Sequence, residues 1–185
     1  MRIIAGEFRG RKLLPPATDA TRPITDRVKQ SLFDILTPLL PDAVVYDCFA
    51  GTGSMGLESL SRGAAHATFF EADRSAITRL KQNIQTVDVA DRSTVIGGDI
   101  FRWFADPKTS GKPTIVFLDP PYRFLVERAA ELRDLASQLV ARHLAHEGIV
   151  VFRHEVDESL DFAGLSAFDQ RTYGGMTIHF FRSIT

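Results

Sequence analysis

The stretch Asp47-Cys48-Phe49-Ala50-Gly51-Thr52-Gly53-Ser54-Met55-Gly56 follows a short apolar run that begins at Val44. Its glycines have the spacing G-x-G-x-x-G, which lets a chain leave a strand, turn tightly and enter a helix while its backbone approaches a nucleotide-like ligand. Glu71 stands 20 residues after Gly51, where an acidic side chain can accept hydrogen bonds from ribose hydroxyls. The stretch therefore predicts a Rossmann-like α/β domain with a ligand site at the carboxyl edge of its sheet.

Short apolar strands alternate with helical runs on both sides of this loop. Strands that are covered on both faces are apolar throughout, and strand–helix–strand alternation produces parallel pairs. Two segments around Gly174-Gly175 are typical of an antiparallel hairpin. The pattern predicts a mostly parallel seven-stranded sheet with helices on both faces and a carboxyl-terminal hairpin. Strands are expected at residues 44–47, 67–71, 95–97, 114–118, 149–154, 168–173 and 176–182, and helices at residues 55–62, 75–87, 100–104 and 126–146.

The first thirty residues differ from the rest of the chain in charge. Their charge is +4, whereas the remainder carries −5 and the whole chain −1. Ile3-Ile4, Gly6, Gly10 and Pro15-Pro16 predict a basic β-hairpin flap at residues 1–20, followed by one domain at residues 21–185. Thr25 is suited to cap a helix, and the apolar residues that follow at helical spacing predict an amphipathic helix of about three turns. These residues are Val28, Leu32, Ile35 and Leu36.

The composition limits the kinds of protein that the chain can be. A single cysteine excludes an internal disulfide, and no group of Cys and His residues has the spacing of zinc ligands. No secretory signal precedes the first strand, and no apolar run reaches the roughly 20 residues that span a membrane. We therefore expect a cytoplasmic protein without a bound metal.

Asp47 distinguishes between two classes of ligand at the glycine loop. A dinucleotide places its pyrophosphate at the helix amino terminus, where a neighbouring carboxylate would repel it. S-adenosylmethionine has no phosphate and carries a sulfonium and an ammonium, which a carboxylate attracts. The loop therefore favours S-adenosylmethionine over a nicotinamide cofactor. The expected contacts are Asp47, Phe49, Ala50, Gly51, Gly53, Glu71 and Asp99.

Two of the residues near this loop have a purely structural alternative. Asp99 is placed to accept from an adenine amino group, but it is about as well suited to cap the next helix. Cys48 lacks the preceding proline found in enzymes that methylate pyrimidine carbons through a cysteine, so a packed thiol is the better interpretation.

The fourth predicted strand ends in Asp119-Pro120-Pro121-Tyr122. Two prolines cannot continue a strand ladder, so they make the exit rigid. An exocyclic amine of a base is a poor nucleophile because its lone pair is delocalised, and it needs hydrogen-bond acceptors more than a base. The Asp119 carboxylate and the Pro120 carbonyl can supply those acceptors while Tyr122 stacks on the base. We therefore expect Asp119, Pro120 and Tyr122 to perform the chemistry of an amino-methyltransferase.

Several motifs together resemble the RsmD family of bacterial methyltransferases, which modify guanine N2 in small-subunit (16S) ribosomal RNA. They are the opening Arg2 to Gly6 with Arg9-Gly10-Arg11, Arg22-Pro23-Ile24-Thr25-Asp26-Arg27, the glycine loop, and the motif that begins at Asp119. The resemblance implies a class I methyltransferase fold, S-adenosylmethionine as cofactor and ribosomal RNA as substrate, within the small subunit or an assembly intermediate. It also implies RNA contacts at Arg2, Arg9, Arg11, Lys12, Arg22 and Arg27.

Other functions are compatible with parts of this pattern. An amino-methyltransferase of DNA adenine or of a protein glutamine would share the motif at Asp119, and only the basic opening segment argues against it. A dehydrogenase is disfavoured by Asp47 and has no use for the Asp119 motif. A ribosome-binding module without catalysis also remains open at this point, because a fold does not guarantee an activity.

Overall fold

The computed structural model describes residues 1–17, 24–155 and 160–184. It contains one seven-stranded sheet with the strand order β3-β2-β1-β4-β5-β7-β6. The pairs β1–β2, β2–β3 and β4–β5 are parallel, and β7 runs antiparallel to both β5 and β6. The predicted mixed sheet is therefore confirmed. The strands are β1 Val44–Cys48, β2 His66–Glu71, β3 Ser93–Gly97, β4 Ile115–Leu118, β5 Ile149–Glu155, β6 Leu165–Tyr173 and β7 Met176–Ser183.

The helices connect these strands in the predicted order. Thr25 caps the first of them, because its hydroxyl accepts from the Val28 amide. Within the described residues, no helix is both long and apolar enough to cross a bilayer. The helices are α1 Asp26–Leu36, α2 Ser54–Ser61, α3 Arg74–Val87, α4 Ile100–Ala105, α5 Phe124–Glu127 and α6 Ala129–Gln138, with 3-10 turns at Thr37–Leu39 and Ala90–Arg92 and a π turn at Leu139–His143.

The single helix predicted at residues 126–146 is wrong. The chain leaves the helical conformation at Arg128, where φ is −129°, and this residue separates α5 from α6. The Arg128 guanidinium lies 4.0 Å from the centre of the Phe101 ring and pairs with Asp99 and Glu131. These contacts, which a periodicity of apolar residues cannot reveal, accompany the break. Residues 144–146, which follow the π turn, are not helical.

The chain forms two compact units, residues Met1–Gly98 and Asp99–Thr185. In the first unit, α2 lies very close to β2, because a Cβ atom on Gly56 would stand 2.3 Å from the Phe69 ring. Strand β3 is the outer strand of this part of the sheet and is only partly covered. The strand was predicted at residues 95–97, and it begins two residues earlier, at Ser93.

The amino-terminal segment, residues 1–17, belongs to the first unit and is packed against it. One antiparallel bridge joins Arg2 to Lys12, so the predicted hairpin is present only in rudimentary form. Ile3, Phe8 and Leu13 are buried, and such anchoring distinguishes the segment from a free flap. Gly6 has φ +84°, and a Cβ there would stand 1.8 Å from the Ser61 carbonyl oxygen, so no other residue fits this approach.

A buried ion cluster fastens the amino-terminal segment to α1 and α2. The Glu58 carboxylate is fully buried and accepts from the Ile4 and Ala5 amides at 2.8 and 3.0 Å. It also pairs with Lys29 at 3.0 Å and with Arg62 at 2.8 Å. Burial lowers the pKa of Lys29, and its pairing with Glu58 opposes that shift. Because each charge has a partner, the cluster can remain in the interior.

In the second unit, the carboxyl-terminal hairpin pairs with β5. Strand β6 begins three residues before the predicted start and contains an irregularity between Ala167 and Asp169. One face of β5 and β7 carries a column of stacked rings, in which His154 lies 4.9 Å from His179. Phe152 and Phe181 extend the column at its two ends.

Candidate active site

The glycine loop between β1 and α2 has three residues with positive φ. These angles are 63° at Phe49, 56° at Gly51 and 85° at Gly53. Gly53 has a φ that side chains rarely adopt, and a Cβ there would stand 2.4 Å from the end of the Leu80 side chain, so the position favours glycine. A Cβ on Gly51 would meet no atom within 4 Å. The loop therefore packs against α3 at Gly53, whereas no atom of the described residues covers its backbone at Gly51 on the side where a Cβ would stand.

Two predicted acidic residues lie at this loop. Asp47 is 2% exposed, and its Oδ2 accepts from the Gly56 amide at 2.9 Å. Glu71 is less buried, and its Oε2 accepts from the Gly51 amide at 2.7 Å. The other Glu71 oxygen accepts from the Ala72 and Asp73 amides, both at 2.8 Å. The structure thus brings Glu71 to Gly51 and Asp47 to Gly56, so both acids hold the loop. Their contacts with the cofactor stay predictions.

Asp99 caps a helix, which is the structural alternative considered for it. Its Oδ1 accepts from the Phe101 amide at 3.0 Å, at the start of α4. Its Oδ2 lies 3.4 Å from Arg128 Nη2. The adenine contact of Asp99 stays a prediction.

Cys48 lies at the end of β1 and is fully buried. Burial, with a smaller contribution from the Asp47 charge, raises the pKa of its thiol well above the usual value. A thiol in this state is a poor nucleophile, which agrees with the packed role expected from its sequence context.

The Asp119-Pro120-Pro121-Tyr122 turn follows β4 directly. Pro120 is buried, and the chain then folds into α5, with the Pro121 carbonyl accepting from the Phe124 amide at 2.8 Å. The Tyr122 carbonyl accepts from the Leu125 amide at 2.9 Å. Both carbonyls after Pro120 are therefore used within the turn. The turn is fixed at its two ends, by β4 and by α5.

Arg153 is the polar partner of Asp119, and sequence reasoning missed it. Its Nε donates to Asp119 Oδ1 at 2.7 Å, with side chains that are 15% and 24% exposed. Although burial opposes the positive charge, Asp119 and, to a lesser degree, Tyr122 favour it, and the net effect raises the pKa of Arg153. The sequence does contain a sign that Arg153 has a partner, because this charged residue directly continues the apolar run of β5.

The residues that were predicted to contact RNA differ in their ion pairs and hydrogen bonds. Arg9, Arg11, Lys12 and Arg27 are exposed, whereas Arg2 pairs with Asp26 at 2.8 Å. Arg11 also donates to the Thr86 carbonyl at 2.7 Å, so its side chain lies along α3. Arg22 lies outside the described residues.

Comparison with solved structures shows that the chain has the Rossmann-like fold of methyltransferases. A putative methyltransferase, yhhF, from Escherichia coli matches with a TM-score of 0.84 and 33% identity, covering 99% of this chain and 97% of that one. An RNA methyltransferase from Salinibacter ruber, solved with S-adenosyl-L-homocysteine, has the same fold with a TM-score of 0.65 and 17% identity, over 88% and 95% of the two chains.

The family follows from the sequence comparisons. The family model "Conserved hypothetical protein 95" matches residues 1–182. Ribosomal RNA small subunit methyltransferase D of Escherichia coli K12 is 40% identical over 86% of this chain and 77% of its own length. The putative rRNA methyltransferase YlbH of Bacillus subtilis is 34% identical over 94% of each chain. The chain therefore belongs to the RsmD family, as its motifs indicated.

Proposed function

We propose that this protein transfers a methyl group from S-adenosylmethionine to the exocyclic N2 amine of a guanine in small-subunit ribosomal RNA. The names of the 40%-identical relatives support methylation of ribosomal RNA. The observation that carries the choice of an amine is the rigid Asp119-Pro120-Pro121-Tyr122 turn, in which a carboxylate is held at the end of β4.

The residues of the glycine loop fit the methyl donor. The buried Asp47 carboxylate accepts from the Gly56 amide of the loop, and Glu71 is fixed beside the open backbone at Gly51. A negative site of this kind suits a ligand with sulfonium and ammonium groups and an uncharged ribose. When bound, S-adenosylmethionine supplies an electrophilic methyl group, which a correctly oriented nitrogen can accept in one displacement.

The protein's own residues then have to orient the amine. The Asp119 carboxylate and the Pro120 carbonyl are the two acceptors for its hydrogens. Two directed hydrogen bonds favour a pyramidal nitrogen whose lone pair is available for attack, and the rigid turn lowers the entropic cost of reaching that geometry. Tyr122, which is partly exposed in the same turn, is suited to stack on the base. Once methylated, the nitrogen is acidic enough to release a proton.

The amino-terminal segment is the proposed RNA-binding surface. Its exposed Arg9, Arg11 and Lys12 stand on a backbone that is fastened to α2 by Glu58 and Ser61. A basic surface on a fixed backbone binds phosphates without the further cost of ordering that backbone. We propose the small subunit, or an intermediate in its assembly, as the particle that it contacts.

Mass-spectrometric mapping of ribosomal RNA tests the function. A strain without the gene is expected to lose one N2-methylguanine from small-subunit RNA, and the purified protein should restore it with a labelled methyl donor. Parallel reactions with free ribosomal RNA, small subunits, DNA and a release factor define the substrate. Labelling of DNA or of the release factor alone would contradict the proposal, as would an unchanged RNA methylation map.

A further inference from the structure

We propose that Arg153 is a positioning residue that fixes how Asp119 presents its carboxylate to the substrate amine. This inference rests on the proposed function. Arg153 lies 34 residues after Asp119 in the sequence, outside the motif that contains Asp119.

The backbone around Arg153 is held by both of its neighbouring strands. Phe152 pairs with Leu118 in the parallel β4–β5 ladder, and Arg153 itself pairs with Ile178 of β7. Since Asp119 follows Leu118 directly, the two side chains leave adjacent strands at corresponding positions. The Arg153 side chain also contacts Met176 Sδ through Nη1, at 3.8 Å. The guanidinium therefore stands at a place that the sheet determines.

The hydrogen bond engages one of the two Asp119 oxygens. Nε of Arg153 donates to Oδ1 at 2.7 Å, which is the length of a charge-assisted bond. Among the described residues, no donor is paired with Oδ2. Arg153 thereby sets the rotation of the carboxylate and directs Oδ2 to the amine.

The permanent charge of a guanidinium has a chemical consequence. An arginine does not lose its proton under ordinary conditions, so Asp119 keeps a positive neighbour throughout the reaction. A charge-assisted hydrogen bond of this kind holds the carboxylate in one orientation. Arg153 therefore supports an Asp119 that orients the amine.

Substitution of Asp119 by asparagine gives this proposal a sharp test. The carboxamide has one oxygen and one NH2 group, and the charged Arg153 will take the oxygen. The NH2 group then faces the substrate amine, and two donors oppose each other. Asp119→Asn should therefore be nearly as inactive as Asp119→Ala while Arg153 is present. Removing Arg153 frees the oxygen to turn to the amine.

We would measure single-turnover methylation in Arg153→Met, Arg153→Lys, Asp119→Asn and the double variant Asp119→Asn with Arg153→Met. Arg171→Met is the matched control, because Arg171 forms an exposed ion pair with Asp169 in the same unit. Donor affinity, RNA affinity and thermal unfolding are measured for each protein. They separate a loss of orientation from a loss of binding or of folding.

The rates expected for these variants distinguish a positioning role of Arg153 from a purely structural one. Arg153→Met should lower the single-turnover rate roughly tenfold or more, with both affinities unchanged, which is the scale of one charge-assisted hydrogen bond. Arg153→Lys should recover part of that loss, and Arg171→Met should behave like the parent. In the Asp119→Asn background, Arg153→Met should raise the rate about fivefold or more.

Two results would overturn the inference. One is an Arg153→Met protein that folds and methylates at the parental rate. The other is a double variant that is slower than Asp119→Asn, which means that Arg153 contributes independently of Asp119. If Arg153→Met does not fold, Arg153→Gln in the Asp119→Asn background provides the same comparison, because a neutral carboxamide at position 153 can accept from the introduced NH2 group and leave the introduced oxygen to the amine. A parent protein that methylates no ribosomal RNA would instead refute the proposed function.

Discussion

Glu71 accepts three backbone hydrogen bonds, and one of them comes from Gly51 of the glycine loop. Its carboxylate thus orders the loop beside the open backbone at Gly51. Together with the proposed ribose contact this gives Glu71 two roles, because its removal would also loosen the loop.

Glu71→Ala is expected to weaken S-adenosylmethionine binding by about 1 to 3 kcal/mol, the range for losing hydrogen bonds to a charged acceptor. Titration calorimetry measures the effect directly. Asp91→Ala is the control, because it removes one exposed carboxylate from the same unit. Equal affinities of the parent and Glu71→Ala would exclude Glu71 from the donor site.

A second question about a single residue is whether the Asp119 carboxylate must take a proton from the amine. The amine of a neutral guanine does not need to lose a proton before attack, since the methylated nitrogen releases one readily. We therefore expect measurable methylation by the double variant Asp119→Asn with Arg153→Met, which has no carboxylate at this position. Asp119→Ala should be slower than the double variant by roughly tenfold. If both proteins are equally inactive while RNA and donor still bind, proton abstraction by Asp119 becomes the better mechanism.

At the scale of elements, the amino-terminal segment is held by polar groups as well as by apolar packing. Asn83 of α3 is buried and joins it to the glycine loop: its Nδ2 donates to the Thr52 carbonyl at 2.9 Å, and its Oδ1 accepts from the Leu14 amide at 2.7 Å. The basic side chains are therefore displayed by a segment with a fixed backbone.

Replacing Arg9, Arg11 and Lys12 together by Ala should weaken RNA binding and flatten its dependence on salt, because each lost phosphate contact removes counterion release. Donor affinity should not change. A matched triple variant, Lys108, Lys112 and Arg133 to Ala, removes the same charge from exposed positions of the other unit. Binding isotherms at several salt concentrations distinguish the two. The same salt slope in the first variant as in the parent would show that the segment is only structural.

At the scale of the whole molecule, buried histidines predict a dependence of stability on pH. His143 is fully buried beside the Trp103 and Phe104 rings, and within the described residues neither of its ring nitrogens has a hydrogen-bond partner. Burial, together with Arg142 and Lys112, lowers the pKa of His143. Burial, with a contribution from His154, also lowers the pKa of His179.

The folded state therefore binds these protons less readily than the unfolded state. The stabilising contribution is complete above the ordinary histidine pKa of about 6.5 and is lost as the pH falls through the lowered values. Urea unfolding should show a free energy of unfolding that decreases on acidification below this point. His143→Phe should reduce the decrease, because a phenyl ring fits among aromatic neighbours and does not titrate. A pH profile identical to that of the parent would contradict this origin.

The sequence by itself determined the parts of the molecule that depend on neighbouring residues. The strands, the glycine loop, the Thr25 cap and the turn at Asp119 follow from local periodicity and from the conformational limits of Gly and Pro. These features are sufficient to indicate the fold and the family. They also placed the candidate site residues at the strand ends, where their roles stay predictions.

Only the tertiary structure decided which distant residues meet. Lys29 contributes to the positive charge of the first thirty residues, yet it is buried against Glu58. The amino-terminal segment is packed in place, the chain breaks at Arg128, and Arg153 pairs with Asp119. The physical reason is that a buried charge needs a partner whose position depends on how whole elements pack, and packing between residues 29 or 34 positions apart leaves no local trace in a sequence.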